Sequence, residues 1–349
     1  MSLSSDASLT AEQSAQRRSD LVVVAYDVQR KSQWDRFVAS SKNGTFLFFR
    51  DYMEYHSDRF TDHSLMIFEA DQLIGVLPAN RKDALTVCSH EGLTYGGLAV
   101  RPSASLFEVL GIFMAVLTHL EREGICVLLY KRIPRFYNIL PDDEIDYAMF
   151  LLNARLYRRD CAQTVCMQDR LPLRKGKKHS AARARKLGVE VGESTDFDVY
   201  WRDVLSPRLS KRHATRPVHS VEEIQQLAAA FPEYIRLFTA TLNGRMQAGI
   251  VVYETATVAH AQYSALAVDD AEPGALDLLI EWLITERYAD KRFFDFGISN
   301  ENEGRTVNHA LLRSKEGFGA RSFAHDHYEI DVRNHGGVAQ ALREERTGT

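Results

Sequence analysis

The chain has 349 residues, enough for more than one core of ordinary size, and a hydrophobic share of 45% excludes disorder over most of its length. A formal net charge of −4 excludes bulk attraction to nucleic acid or to anionic membrane. The four cysteines (Cys88, Cys126, Cys161 and Cys166) have no CxxC or His-paired spacing, so no metal is expected and reduced, core-type thiols are.

Residues 1–20 are polar, lack an apolar segment and read as a disordered tail rather than a signal peptide. No apolar run reaches membrane-spanning length, so a cytoplasmic protein without stable membrane insertion is expected. LVVVAYDV reads as a strand, SQWDRFVASS as a short helix with Ser32 as N-cap, and FRDYMEYHSDRF carries aromatics at helical spacing. Strands follow in SLMIFEAD, QLIGVLPANRK and LTVCSHEGLTYGGLAV, then an amphipathic helix in LFEVLGIFMAVLTHLEREG closed by Gly124, then the strand ICVLLYKRIP. The order repeats as EYIRLFTATLN, RMQAGIVVYET and ATVAHAQYSALAV, a helix in ALDLLIEWLITERYAD, and a strand in KRFFDFGIS. YGGLAV answers YSALAV, and Gly75 answers Gly249, so the chain reads as a duplicated α/β unit. Between the halves lies LPLRKGKKHSAARARKLGVEVGES, the one strongly basic stretch, with a helix expected in AARARKLG up to Gly188.

Several polar clusters carry two readings each. In Ser89–Gly97, His90 and Tyr95 beside three glycines read either as ligand contacts or as a glycine-rich turn. Tyr52, Tyr55 and Arg59 share a helix face; the tyrosines read as core and Arg59 is kept as a binding candidate. Lys131 ends a strand, either solvated or holding an anionic group. The basic stretch reads as a solvated surface or as a phosphate or tRNA site, although no aromatics interleave with its charges. In AHAQYS, alternation puts His260 and Gln262 on one face and Tyr263 on the other; His260 reads as a core residue and Tyr263 as a pocket contact. Asp295, flanked by Phe294 and Phe296 and close to Ser299, reads as a base or acceptor anchor, or as a structural partner of Lys315. Lys315 is then that partner or a cation for a developing oxyanion.

Together these features resemble the GNAT-type acyltransferase superfamily, and more closely its two-domain FemAB-like branch. The likeness rests on the duplicated unit, the basic stretch, LSKRHATRPVHSVEEIQQLAAAFPEYI, and the closing elements Phe294-Asp295-Phe296-Gly297, Gly304 and Lys315-Glu316-Gly317-Phe318-Gly319, and it runs from about Ser32 to Val332. It implies an α/β (α+β) fold of two tandem GNAT-like domains, each a mixed, mostly antiparallel sheet flanked by helices. The expected bounds are 21–170 for the first domain, 171–188 for a basic linker, 189–332 for the second domain and 333–349 for a C-terminal tail.

The resemblance also implies an N- or O-acyltransferase that uses acyl-CoA, acetyl-CoA in the first place, and acts on a small-molecule acceptor such as a nucleotide-linked amino sugar of the cell envelope. Asp295, His90 and Lys315 are the expected catalytic residues. Tyr95, Arg59, Lys131, Arg212, His213, Tyr263 and Ser299 are the expected substrate contacts, Arg212 and His213 because that region approaches the acceptor in the resembling branch. Many GNAT proteins wrap a pyrophosphate with an R/Q-x-x-G-x-G/A loop; here DDAEPGALDLL stands in its place. Gly274 and Ala275 would offer backbone N–H groups to the cofactor, while Asp269, Asp270 and Glu272 would oppose it. The alternatives are an aminoacyl-tRNA-dependent transferase with tRNA as partner, and a non-catalytic binding protein with a degenerate donor site. GxxxxGK[ST], GxSxG and HExxH are absent.

Overall fold

A computed structural model describes residues 21–213 and 216–344, without the side chains of Arg212, His213 and Glu344. The expected tail at residues 1–20 lies outside the described residues. The chain divides into two compact units, the first made of residues up to 157 and from 327 onward, the second of Arg158–Asp326. Among the described residues no helix is long and apolar enough to cross a membrane. All four cysteines are unbridged.

The first unit begins with β1 (Leu21–Ala25), α1 (Lys31–Ser40) and the short α2 (Arg50–Glu54). β2 (Thr61–Asp62), β3 (Leu65–Glu69), β4 (Gln72–Leu77), β5 (Asn80–Arg81), β6 (Thr86–Cys88) and β7 (Ala99–Val100) follow. Then come α3 (Leu106–Arg122), β8 (Val127–Lys131) and α4 (Glu144–Leu151). One antiparallel sheet runs β1-β3-β4-β7, and a second run is β8-β6-β5-β2, in which β6 and β8 are parallel. α3 is the central helix because Val109, Ile112, Phe113, Val116, Leu117 and Leu120 recur at three- and four-residue spacing and are all buried. Ser105 caps its start by accepting from the Glu108 N–H, and Gly124 (φ +78°) follows its end.

The second unit takes in β9 (Arg155–Cys166), most of which lies past the division, then α5 (Lys175–Lys186) and β10 (Glu190–Ser194). A π-helical stretch at Tyr200–Leu205 leads into α6 (Ser206–His213), and α7 (Val221–Ala230) carries a Ser220/Glu223 capping box. β11 (Ile235–Leu242), β12 (Arg245–Glu254), β13 (Val258–Leu266), α8 (Ala275–Trp282) and β14 (Phe293–Ile298) then build the sheet β10-β11-β12-β13-β14-β9, antiparallel except for β13 with β14. The hairpin β15 (Asn300–Glu301) and β16 (Thr306–Val307) and helix α9 (His309–Glu316) precede β17 (Arg321–Asp331). Gly249, in the middle of β12, is needed for close approach: a Cβ there would lie 2.4 Å from the Tyr200 ring.

The last stretch returns to the first unit. His327–Asp331 pairs antiparallel with Lys131–Val127, and Val338 of α10 (Gly336–Glu344) is fully buried in that unit's core. The division therefore falls inside strands and not at the expected 170/171 and 332/333 boundaries. The basic stretch expected as a linker is α5, with Ala181 and Ala184 fully buried in the second core.

Two buried polar features of the first unit set its stability. Arg132 is 3% exposed and donates to both Asp142 oxygens (2.6 and 2.9 Å) and to Asp146 (3.1 Å). His56 and His90 stack at 5.1 Å with an 18° interplanar angle, and His90 Nδ1 has no hydrogen-bond partner among the described residues. Burial, aided by His56 and Lys131, pushes His90 down to about 3; burial also lowers His56. Arg132→Ala is expected to cost about 3–5 kcal/mol in urea unfolding by stranding Asp142, with part regained in Arg132→Ala/Asp142→Asn. A histidine held neutral in the fold binds fewer protons than its unfolded counterpart, which titrates near 6.5, so its stabilising contribution is complete above about pH 6.5 and lost as pH falls toward 3. His90→Asn, which tolerates the φ of +68° at this position, should flatten that acid limb in thermal melts between pH 6.5 and 4.

Candidate active site

In the second unit β13 and β14 pair at only three positions, Val258↔Phe293, Ala259↔Phe294 and His260↔Asp295. Beyond them β13 continues to Leu266 with no strand paired on its β14 side, while β14 turns away. Gly297 makes the turn at φ +70°, and the β14–β9 register shifts between Asp295 and Ile298.

At this fork Asp295, 2% exposed, accepts from His260 Nδ1 (2.7 Å), Thr164 Oγ1 (2.8 Å) and the Gly297 N–H (2.9 Å). Burial alone would raise its carboxyl pKa; the hydrogen bonds, that of His260 foremost, outweigh it and hold the group below the usual range. An ionised Asp295 offers no proton, so Nδ1 of His260 is the donor, and in neutral His260 Nε2 carries the free lone pair. Lys315, on α9, donates to the carbonyls of Gly297 (3.0 Å) and Ile298 (2.6 Å), and burial brings it down to about 8 against the opposing pull of Asp295. The Ser299 hydroxyl is buried and has no hydrogen-bond partner among the described residues. Asp295, Lys315 and Ser299 are thus brought together, and His260, read from sequence as a core residue, joins them.

Tyr263 lies on the same sheet face as His260, not on the opposite one. The β12–β13 register shifts between Val251 and Val252, which leaves Gln262 as the extra residue of a bulge and moves the alternation by one. Tyr263 packs edge-on against Trp201 at 5.2 Å, and its hydroxyl meets His219 Nδ1 at 2.5 Å. Next to it opens a cleft of about 780 Å³ lined by Trp201, Ser206, Ser210, Arg216, His219 and Glu223, among others. Arg212 and His213 lie at the end of α6, and their side chains are outside the described residues.

The start of α8 does not match the expected cofactor cradle. The Gly274 N–H is directed at Glu272 Oε1 (3.3 Å), and the Ala275 N–H donates to the Glu272 carbonyl (3.0 Å). A Cβ on Gly274 would lie 2.3 Å from the Ser180 carbonyl, so α5 packs directly on this turn. The residues present do not fit a pyrophosphate here.

Among the first-unit candidates Lys131, Tyr95 and Arg59 are engaged within the unit. Lys131 Nζ donates to the carbonyls of His90 (3.1 Å), Glu91 (3.0 Å) and Leu93 (2.8 Å), lacing the 89–97 loop onto β8. Tyr95 is buried with its hydroxyl on Thr45 (3.0 Å), and Arg59 lies over Tyr55 and pairs with Asp58 at 3.6 Å. His90 is the neutral, buried ring described above. β8 takes β6 as its parallel neighbour, and the Ser89 N–H bonds the Leu129 carbonyl (2.8 Å), so the place corresponding to the fork is filled by the chain itself.

Comparison with known proteins agrees with this architecture. Residues 172–304 match the family model of the acetyltransferase (GNAT) domain. The crystal structure of FemX aligns at a TM-score of 0.66 and 10% identity, over 89% of this chain and 98% of FemX. The C-terminal domain of a proposed lysylphosphatidylglycerol synthetase from Agrobacterium fabrum gives 0.56 at 12% identity (90% and 96% covered). L-PGS from Bacillus licheniformis gives 0.53 at 11% (88% and 93% covered). No curated protein sequence matches. Residues 172–304 thus match the GNAT domain model, and the chain shares the fold of FemX, in keeping with the tandem GNAT-like α/β fold that the resemblance implied.

Proposed function

We propose that this chain is an acyltransferase whose chemistry takes place at the fork of β13 and β14, and the observation that carries the reading is the His260–Asp295 pair. His260 Nε2 takes the proton of an acceptor amine or hydroxyl as its nitrogen or oxygen attacks the acyl carbonyl of an ester or thioester donor. The bond to the acyl carbon forms, the carbonyl π electrons move to oxygen, and the intermediate collapses with loss of the donor's alkoxide or thiolate, which takes the proton from His260. Asp295 holds the imidazole in its Nδ1–H form and offsets the charge that forms on it, a role of the kind that makes a base worth about 10²–10⁴ in rate. Lys315 has an N–H beyond the two it gives to carbonyls, which supports giving its ammonium the developing oxyanion, and Ser299, next in the chain to Ile298, is assigned to the same pocket.

The cleft beside Tyr263, with its serines and Arg216, supports a small hydroxylated acceptor such as a nucleotide-linked amino sugar of the cell envelope. A second reading, aminoacyl transfer from an aminoacyl-tRNA, is favoured by the closed start of α8 and by the fold shared with a proposed lysylphosphatidylglycerol synthetase.

The test is transfer from a panel of acyl thioesters and aminoacyl esters to amines, followed by acceptor loss. His260→Gln and Asp295→Asn should each lower kcat by about 10²–10⁴ with the fold retained by circular dichroism; full turnover in both would overturn the assignment of the chemistry to this pair, and no transfer from any donor by the unaltered chain would favour a non-catalytic binding protein. The cation form of Lys315 is the active one, so kcat should fall as pH rises through about 8. Lys315→Met should be slower by about 10²–10³ at pH 7 and lack that alkaline limb.

A further inference from the structure

We infer that the acyl donor of this chain carries no pyrophosphate at the start of α8; its activated acyl group is borne by an ester or thioester arm that is uncharged where it passes that helix. The inference rests on the reading of the second unit as an acyltransferase and names its donor class. α8 joins two parallel neighbours, β13 and β14, and in such a crossover the helix start is the ordinary seat of a phosphate. That seat needs unengaged N–H groups, an open approach and surroundings that are not already negative. All three are missing.

The N–H groups of Gly274 and Ala275 are directed at the side chain and main chain of Glu272, and Glu272 is itself pinned by its N–H to Gln247 Oε1 (3.0 Å) and by Arg183 (3.4 Å). The approach is shut by α5: the Ser180 carbonyl and Ala184 Cβ would stand 2.3 and 3.1 Å from a Cβ on Gly274, and Ala275 is fully buried. The charges are the wrong sign and already matched. Lys211 pairs with Asp269 (3.0 Å), Lys177 with Asp277 (2.8 Å) and Arg185 with Glu281 (2.8 Å). The basic stretch that a sequence reader assigns to an anion is therefore the clamp that closes the anion seat. Among the described residues no pairing with β14 extends past His260, and the β13 backbone beyond it is where an extended arm would run without any call for phosphate.

The experiment is calorimetric titration of the full chain with acetyl-CoA and with S-acetyl-pantetheine, which share the thioester arm and differ by the phosphorylated nucleoside diphosphate. Acetyl-CoA is expected to bind less than tenfold more tightly than S-acetyl-pantetheine, at both low and high salt; if neither binds, the diphosphate again confers nothing and the inference stands. An advantage of tenfold or more for acetyl-CoA, lost at high salt, overturns it. That outcome leaves the acyltransferase reading untouched, whereas no transfer from any donor by the unaltered chain undoes that reading and leaves this affinity ratio as it was.

Discussion

A carboxylate placed in a protein interior must be answered by hydrogen bonds, and Asp295 is where the second unit meets that demand. The three donors that hold it come from three sources: a neighbouring parallel strand (His260), an antiparallel strand on the other side (Thr164) and its own chain two residues on (Gly297). Satisfying the last of these requires the chain to curl back at once, and the left-handed conformation of Gly297 supplies that curl. The departure of β14 from β13, the direction of the Gly297 and Ile298 carbonyls, and hence the seat of Lys315 all follow from how this one charge is housed.

The two units show how the same order of elements can reach opposite ends. In the second, the strand after the crossover helix pairs briefly with the strand before it and then leaves a gap. In the first, β7 is cut to two residues and pairs with β4, and β8 turns instead to β6. The polar loop in between is then drawn in by Lys131, whose ammonium is spent on three carbonyls, and by the Tyr130 hydroxyl, which accepts from the Leu98 N–H at 2.9 Å. Duplication supplied two frames, and the contents of the gap distinguish them.

Much of this was legible in the residues. The duplicated order and the Phe294–Gly297 strand are local patterns with local causes, and they fall where the sequence puts them. His260 was misjudged because its partner is a cross-strand neighbour 35 positions away, and a histidine among alanines looks like core until its register is known. The face of Tyr263 was misread because a bulge resets a two-residue period without leaving any composition signal. Lys131 and Tyr95 have side chains suited to a ligand, yet residue type does not reveal that the protein already engages them, nor that burial holds His90 neutral. The basic stretch reads as a linker because its charges dominate its composition, although two small residues, Ala181 and Ala184, are what dock it.

The chain passes from the first unit into the second within β9 and comes back within β17, which makes the second unit a continuous run of sequence and the first a discontinuous one. During synthesis the second unit is complete once Asp326 has emerged. The first still lacks Ile330, Val332 and Val338, three fully buried members of its core, together with the strand that flanks β8. A domain folds as a unit only when its core is all present. The N-terminal residues of this protein are therefore made first and finish folding last, and through most of translation they are the part with unpaired strand edge and unburied apolar surface.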